Sequence, residues 1–398
     1  MIGPILTWCA EMLQRGAHEV VAFAFGNVCF AAIWFFHIRK NHHNPPRIDQ
    51  LQAEIDELKT QVDVSEESGE SIQKELESQI DTLTKQIEGI TEVDGEVWQS
   101  VPHEQSIPKF RVLEAGRAPI ISILNLKGGV GKTTLTANLG ATFFESGKKV
   151  LLVDLDYQGS LTSLCLDAPA KDHVRMANKF VCRLLAQETP TGEDILNLCH
   201  PIGSHSGCVV ATDEQLTKTE MKVMAQWITK STPDDVRYRL RSALHHETVQ
   251  SRFDLIILDC PPRLSTACVN AITASDYVLI PVLLDRLSAE AVPRLLRWLY
   301  TLKNQNVCPR LNVMGVVGNR AKTLDGPSPK QQTIWNNLKS ECEDTWMEPV
   351  HMFDNMIPDK VSFSDALEND TFAALRDQNL KVKFRNLHDE IVERFPAL

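Results

Sequence analysis

The run KGGVGKTT, residues 127–134, constrains this chain more than any other feature. It comes after the apolar stretch PIISILNL and precedes a stretch with helical character. Glycines at such a place let backbone N–H groups turn inward around an anion, and the next helix offers its positive end to the same point. The spacing departs from the common G-x-x-x-x-G-K-[ST] pattern. Counting back from Gly131 puts Leu126 at the first position and Lys127 at the second, so the loop carries two lysines. Gly128, Gly129, Val130 and Gly131 supply the backbone cradle. Lys132 is placed to reach the β- and γ-phosphates of a nucleotide, Thr133 to offer its hydroxyl to Mg2+, and Thr134 to lie on the α-phosphate side.

Four more apolar runs lie downstream: KKVLLVDLD, FDLIILDC, YVLIPVLL and LNVMGVVGNR. They are almost continuously aliphatic and β-branched, as in strands buried on both faces, and amphipathic stretches separate them. The fold expected is α/β, a mostly parallel sheet flanked by helices. Two of these runs end on carboxylates. VLLVDLD closes on Asp154 and Asp156, and FDLIILDC on Asp259, which stands where a Walker B carboxylate holds Mg2+, often through water. Thr133, Asp154 and Asp259 are therefore the expected metal site.

Upstream the chain changes character. Residues 1–106 carry 7 Lys and Arg against 18 Asp and Glu, whereas residues 107–398 carry 34 of each. The acidity belongs to the N-terminal part, and the larger part has no bulk attraction for nucleic acid. Residues 20–36 form an uncharged apolar run, about 25 Å long as a helix, near the lower limit for a bilayer core. With Arg39, Lys40 and Arg47 behind it, the run is expected to be a single-pass anchor (residues 1–37, then a basic juxtamembrane segment 38–47). It would place the residues after 37 on the cytoplasmic side of a bacterial inner membrane. A buried core helix and a cleaved signal peptide are the alternatives. Residues 48–92 repeat apolar positions in heptad steps and are expected to form a parallel dimeric coiled coil, the alternative being one charged helix folding back on the domain. Residues 93–109 read as a linker and 110–398 as the ATPase-type domain. The ten cysteines contain no C-x-x-C pair, which points to reduced thiols rather than a metal cluster or a disulfide framework.

KGGVGKTT, VDLDYQGS, DCPP and ASDYVLIPV, in this order, resemble the ParA/MinD family of deviant-Walker ATPases over roughly residues 118 to 370. The resemblance implies a Mg2+-dependent ATP hydrolase that dimerises with ATP sandwiched between two copies. It makes Lys127 the lysine that reaches the other copy's phosphates and Lys132 the one serving its own loop. Asp156 becomes the residue that positions the attacking water, Asp154 its neighbour near the metal, and Asn319 the adenine partner. The chain departs from the family at Tyr157, often proline, at Ser160, often asparagine, at Arg263, commonly small, and at Leu283, frequently glutamine. Membrane-linked tyrosine autokinases of similar fold carry a C-terminal tyrosine cluster that this chain lacks, and iron–sulfur relatives need bridging cysteines, for which Cys260 and Cys268 are not suitably paired by sequence.

The expected partners are a second copy, through the ATP sandwich and the coiled coil, the membrane, and an activator or effector protein. Non-specific DNA, through Arg286, Arg294, Arg297, Arg320, Lys322 and Lys330, is not favoured at zero net charge. Leu380, Phe384, Leu387 and Ile391 share one helical face, expected to pack on the domain. The function expected is an ATP-driven switch that positions or regulates a partner complex or DNA. The alternative is a signalling scaffold, for example in phage defence or stress response, whose ATP state controls an effector.

Overall fold

The computed structural model describes residues 96–102, 110, 116–203, 205–321, 327–363, 366 and 371–396. Its centre is a seven-stranded sheet: β1 Ile120–Ile123, β2 Val150–Asp154, β3 Cys199–Pro201, β4 Gly207–Val210, β5 Leu255–Asp259, β6 Tyr277–Leu283 and β7 Asn312–Asn319. The order across the sheet is β3-β4-β2-β5-β1-β6-β7. Every pairing is parallel except that of the short edge strand β3 with β4. The five apolar runs read from the sequence contain β1, β2, β5, β6 and β7. All residues of β1, β2 and β5 are buried, as strands covered by helices on both faces must be.

Register does the positioning. Asp154 of β2 stands opposite Asp259 of β5, and Asp259 opposite Ile123 of β1. Three neighbouring strands thus end level with one another. The two carboxylates reach the same height as the loop that leaves β1, in the crevice where open parallel sheets take ligands. The helix Lys132–Glu145 returns from that loop across the sheet. Gly140 lets it lie close, since a Cβ there would come within 2.9 Å of Leu152 Cδ2.

The helix Gln378–Arg394 buries Leu380, Phe384, Leu387 and Ile391 completely, the face read from the sequence. Its His388 ring lies 4.5 Å from Phe143 of the phosphate-loop helix. Before it, the Ala374 N–H donates to Asn138 Oδ1 at 2.7 Å, tying the C-terminal part to that same helix. On the other edge, β7 gains a short parallel partner, with bridges Val316 to Met352 and Ala321 to Pro358.

Residues 96–102, read as linker, pack onto the domain. Trp98 is fully buried, its ring stacked 6.2 Å from Trp227, and its indole N–H donates to the Leu264 carbonyl at 3.0 Å. The buried Arg237 guanidinium donates to the carbonyls of Trp98 and Ser100, at 2.7 Å each. The apolar run at 20–36, the basic segment at 38–47 and the heptads at 48–92 lie outside the described residues.

The expectation of a single-pass protein of the bacterial inner membrane is corrected. Among the described residues no helix is long and apolar enough to cross a membrane. Pro329–Trp346, of 18 residues, buries only Gln331, Trp335, Leu338, Cys342 and Trp346 and carries Lys330, Lys339, Glu341, Glu343 and Asp344 along its length. Such a helix is amphipathic, whereas a bilayer span needs about 20 predominantly apolar residues.

Candidate functional site

The loop between β1 and the helix Lys132–Glu145 has the backbone an anion cradle needs. Gly129 and Gly131 adopt positive φ, 75° and 86°, which a residue with a Cβ reaches only under strain. Gly131 occupies the helix N-cap without any side-chain cap, so the first-turn N–H groups stay available to a bound oxyanion. Gly128 and Gly129 have open space where a Cβ would stand. Val130 is buried, and its carbonyl accepts the Asn319 Nδ2 amide at 2.7 Å. Asn319, at the end of β7, is 2% exposed. Its amide meets the phosphate loop itself.

The two lysines part company. Lys132 is buried, and its Nζ donates to the Lys127 carbonyl at 3.3 Å, curled inside the cradle. Burial lowers its pKa, with Asp259 and Asp156 pulling the other way. Lys127 turns outward instead. Its Nζ donates to Ser288 Oγ at 2.8 Å and lies 3.5 Å from Asp285 Oδ1, with its side chain 32% exposed. Those two residues belong to the turn after β6. Asp285 accepts from both the N–H and the hydroxyl of Ser288, which rigidifies the receiving pair.

The carboxylates differ as much. Asp154 is fully buried. Its Oδ2 accepts from the Thr162 N–H at 2.8 Å and the Thr162 hydroxyl at 2.7 Å, and its Oδ1 from the Asp156 N–H at 3.2 Å. It therefore braces the loop that carries Asp156. Asp156 is half-buried, with Oδ1 accepting from the Gln158 N–H at 3.2 Å. Asp259 is fully buried. Oδ1 accepts from the Thr136 hydroxyl at 3.3 Å, while Oδ2 is buried without a partner. An orphaned carboxylate oxygen beside the half-buried Thr133 and the ammonium of Lys132 suits a hydrated divalent cation, which takes hard oxygen ligands. Burial drives the Asp259 carboxyl well above its ordinary value, and the charge of Asp154 adds to this, with Thr133 and Lys132 opposing. Thr134 is half-buried on the same helical turn. Of the two strands the sequence did not mark, β4 flanks the site, Val210 standing opposite Val153 beside Asp154, and β3 lies one strand further out.

Burial also pushes the Asp154 carboxyl up, to about 7, against the pull of its three hydrogen bonds. A carboxyl raised on folding holds a proton that the unfolded chain has already released, from about pH 4 up to about pH 7. Stability therefore falls as pH rises through that window. Without nucleotide or metal, Tm is expected to fall between about pH 5 and about pH 7, with a slope that Asp154→Asn reduces. Mg2+ with nucleotide is expected to flatten it, because a nearby cation favours ionised carboxylates. A Tm that rises over the window, or a slope unchanged by Asp154→Asn, would contradict this linkage.

Similarity to known proteins agrees with the geometry. A family model described as an AAA domain matches residues 118–313. The chain is 35% identical over 247 residues to the chromosome-partitioning ATPase Soj of Thermus thermophilus, covering 62% of this chain and 83% of that protein. It is 37% identical over 177 residues to the sporulation initiation inhibitor protein Soj of Bacillus subtilis, covering 44% of this chain and 63% of that protein's length. Among solved structures it resembles apo McdA of Cyanothece, at TM-score 0.55 and 20% identity over 69% of this chain and 99% of that one. It also resembles cobyrinic acid a,c-diamide synthase of Mycobacterium smegmatis with bound ATP analog and magnesium, at TM-score 0.54 and 23% identity over 70% and 96%. At those identities the two structures speak for the fold alone.

Proposed function

The chain belongs to the ParA/MinD family of P-loop ATPases, and from that premise we propose that it is an ATP-dependent dimerisation switch. It is an ATP hydrolase working on ATP with Mg2+, releasing ADP and phosphate. Lys132 and the backbone N–H groups of residues 128–134 hold the phosphates in the cradle. Thr133 and Asp259 are the residues to hold the metal, which when bound neutralises phosphate charge. Asp154 braces its loop, and Asp156 orients the attacking water and receives its proton. Asn319 supports the loop from the end of β7, and reading adenine would require it to exchange its bond to the Val130 carbonyl for one to the base.

The observation that carries this reading is the outward turn of Lys127. The cradle already holds one ammonium, that of Lys132. A second charge on the rim, half-exposed, is suited to the phosphates of another copy's nucleotide. Charge delivered only on pairing stabilises the transition state only in the pair, which couples assembly to hydrolysis. Each cycle then opens and closes a surface that a partner protein, an activator or an effector, can read, so that a partner complex or DNA is positioned or regulated. Two of the six basic candidates are already paired, which weighs against DNA as the main partner. Arg286 pairs with Glu290 and Arg320 with Asp359, and Lys322 lies outside the described residues.

Asp94–Leu398 forms a compact unit, so the switch can be tested on it by light scattering with ATP and with ADP. Hydrolysis is slowed in that experiment by Asp156→Ala. The mass is expected to double with ATP alone, and the doubling to vanish in Lys127→Ala. The same mass with both nucleotides would sink the switch.

A further inference from the structure

Arg263 follows Asp259 by four residues, and Tyr157 follows Asp156 directly. The two side chains meet: the Arg263 guanidinium carbon lies 5.2 Å from the centre of the Tyr157 ring. The same guanidinium donates through Nη2 to Glu220 Oε2 at 2.5 Å. Glu220 projects from the helix Gln215–Thr229 and is 6% exposed. Its other oxygen accepts the Ala267 N–H at 3.0 Å, and its backbone carbonyl accepts the Thr266 hydroxyl at 3.2 Å. Burial raises the Glu220 carboxyl, and the charge of Arg263 works against that rise. The Nε of Arg263 is buried without a partner. A guanidinium held this way, with one donor idle, is oriented by its carboxylate rather than by full satisfaction of its own hydrogen bonds.

The loop around Arg263 is therefore fixed from behind. Glu220 grips both Arg263 and the start of the helix Thr266–Ala274, and Trp98 donates to the neighbouring Leu264 carbonyl. Tyr157 is 37% exposed and leans on that fixed loop. We propose that Arg263 is a positioning residue for hydrolysis: by holding Tyr157 it sets the distance between Asp156, which orients water, and Asp259, which faces the metal. The proposal rests on the role given to Asp156 above, but not on dimerisation. It spans two loops that must keep their spacing within a fraction of an ångström, and misplacement by ~1 Å costs on the order of 100-fold in rate.

The test uses the full chain and steady-state phosphate release. Arg263→Ala is expected to lower kcat by roughly 10- to 100-fold with KM for ATP within about threefold. Arg263→Lys keeps a cation against both the ring and the carboxylate, and Tyr157→Phe keeps the ring; each is expected to retain most of the turnover. Tyr157→Leu is expected to fall as Arg263→Ala does, and the two together to be no slower than Arg263→Ala alone, because they break one contact. Removing Arg263 leaves Glu220 buried and unpaired, which by itself can unfold the chain. The variant Arg263→Ala with Glu220→Gln removes that charge and keeps the comparison valid if the single variant fails to fold. An unchanged kcat, a rise in KM equal to the loss in kcat, or multiplying effects of the two substitutions would each overturn the proposal. A wild-type unit that never pairs with ATP, yet whose turnover drops on loss of Arg263, would remove the dimer switch and leave this assignment standing.

Discussion

Lys132→Ala is expected to weaken ATP binding by about 100-fold or more and to leave turnover below detection. Nothing else in the cradle supplies its charge. Lys127 points away, toward Asp285 and Ser288, and its carbonyl is what the Lys132 ammonium holds when no phosphate is there. Two charge-assisted bonds to phosphate oxygens, each worth about 1.5–3 kcal/mol, account for a loss of that size. The fold should survive, because the buried Asp259 carboxyl already sits well above its ordinary value and takes up a proton when its neighbouring ammonium goes. Calorimetric titration with a slowly hydrolysed ATP analogue, beside a thermal melt, separates the two effects. Affinity within threefold of wild type in a folded variant would remove Lys132 from the phosphate site.

Asp156→Ala is expected to leave ATP binding within about threefold and to reduce turnover on the order of 100- to 10,000-fold, the range for loss of a positioned general base. Its side chain is half-buried and bonds only within its own loop, so little packing is lost. Its placement is inherited. Asp154 holds the Asp156 N–H, Thr162 holds Asp154, and the Thr212 N–H donates to Thr162 Oγ1 at 3.0 Å. The chain of bonds ends in the segment just beyond β4, which makes the water-positioning loop part of the sheet's edge. Single-turnover hydrolysis with prebound ATP gives the cleanest reading. If the single-turnover rate is unchanged, the base lies elsewhere, and Asp156 serves the loop alone.

The sheet was legible where strands are long and buried on both faces: the aliphatic runs that become β1, β2, β5, β6 and β7 have no other way to hide that many branched side chains. β3 and β4 were not legible. The first is three residues, Cys199–Pro201, with a proline, and the second begins at Gly207, so neither has the length or pattern that marks a strand. Pairing with β2 makes β4 a strand, and that is a tertiary fact. The described part of the expected linker was also hidden. Trp98 reads as one aromatic in a polar stretch until Trp227, Arg237 and Leu264, each more than a hundred residues away, close around it.

Within the site, the sequence by itself determined the chemical inventory: two lysines, paired threonines and three strand-end aspartates, spaced so that a glycine loop and a helix start had to come after a buried strand. Local backbone physics suffices for that, because the cradle is built from consecutive residues. Only the tertiary structure decided what each group does with its atoms. Register brought Asp154 level with Asp259, folding spent the oxygens of Asp154 on Thr162 and Asp156, and one oxygen of Asp259 was left without a partner. The turn after β6 drew Lys127 out of its own loop, and the helix Gln215–Thr229 brought Glu220, 43 residues upstream, to Arg263. Such contacts join residues far apart in the chain, and no periodicity along it encodes them; they exist once the sheet has closed and burial has made every unpaired charge costly.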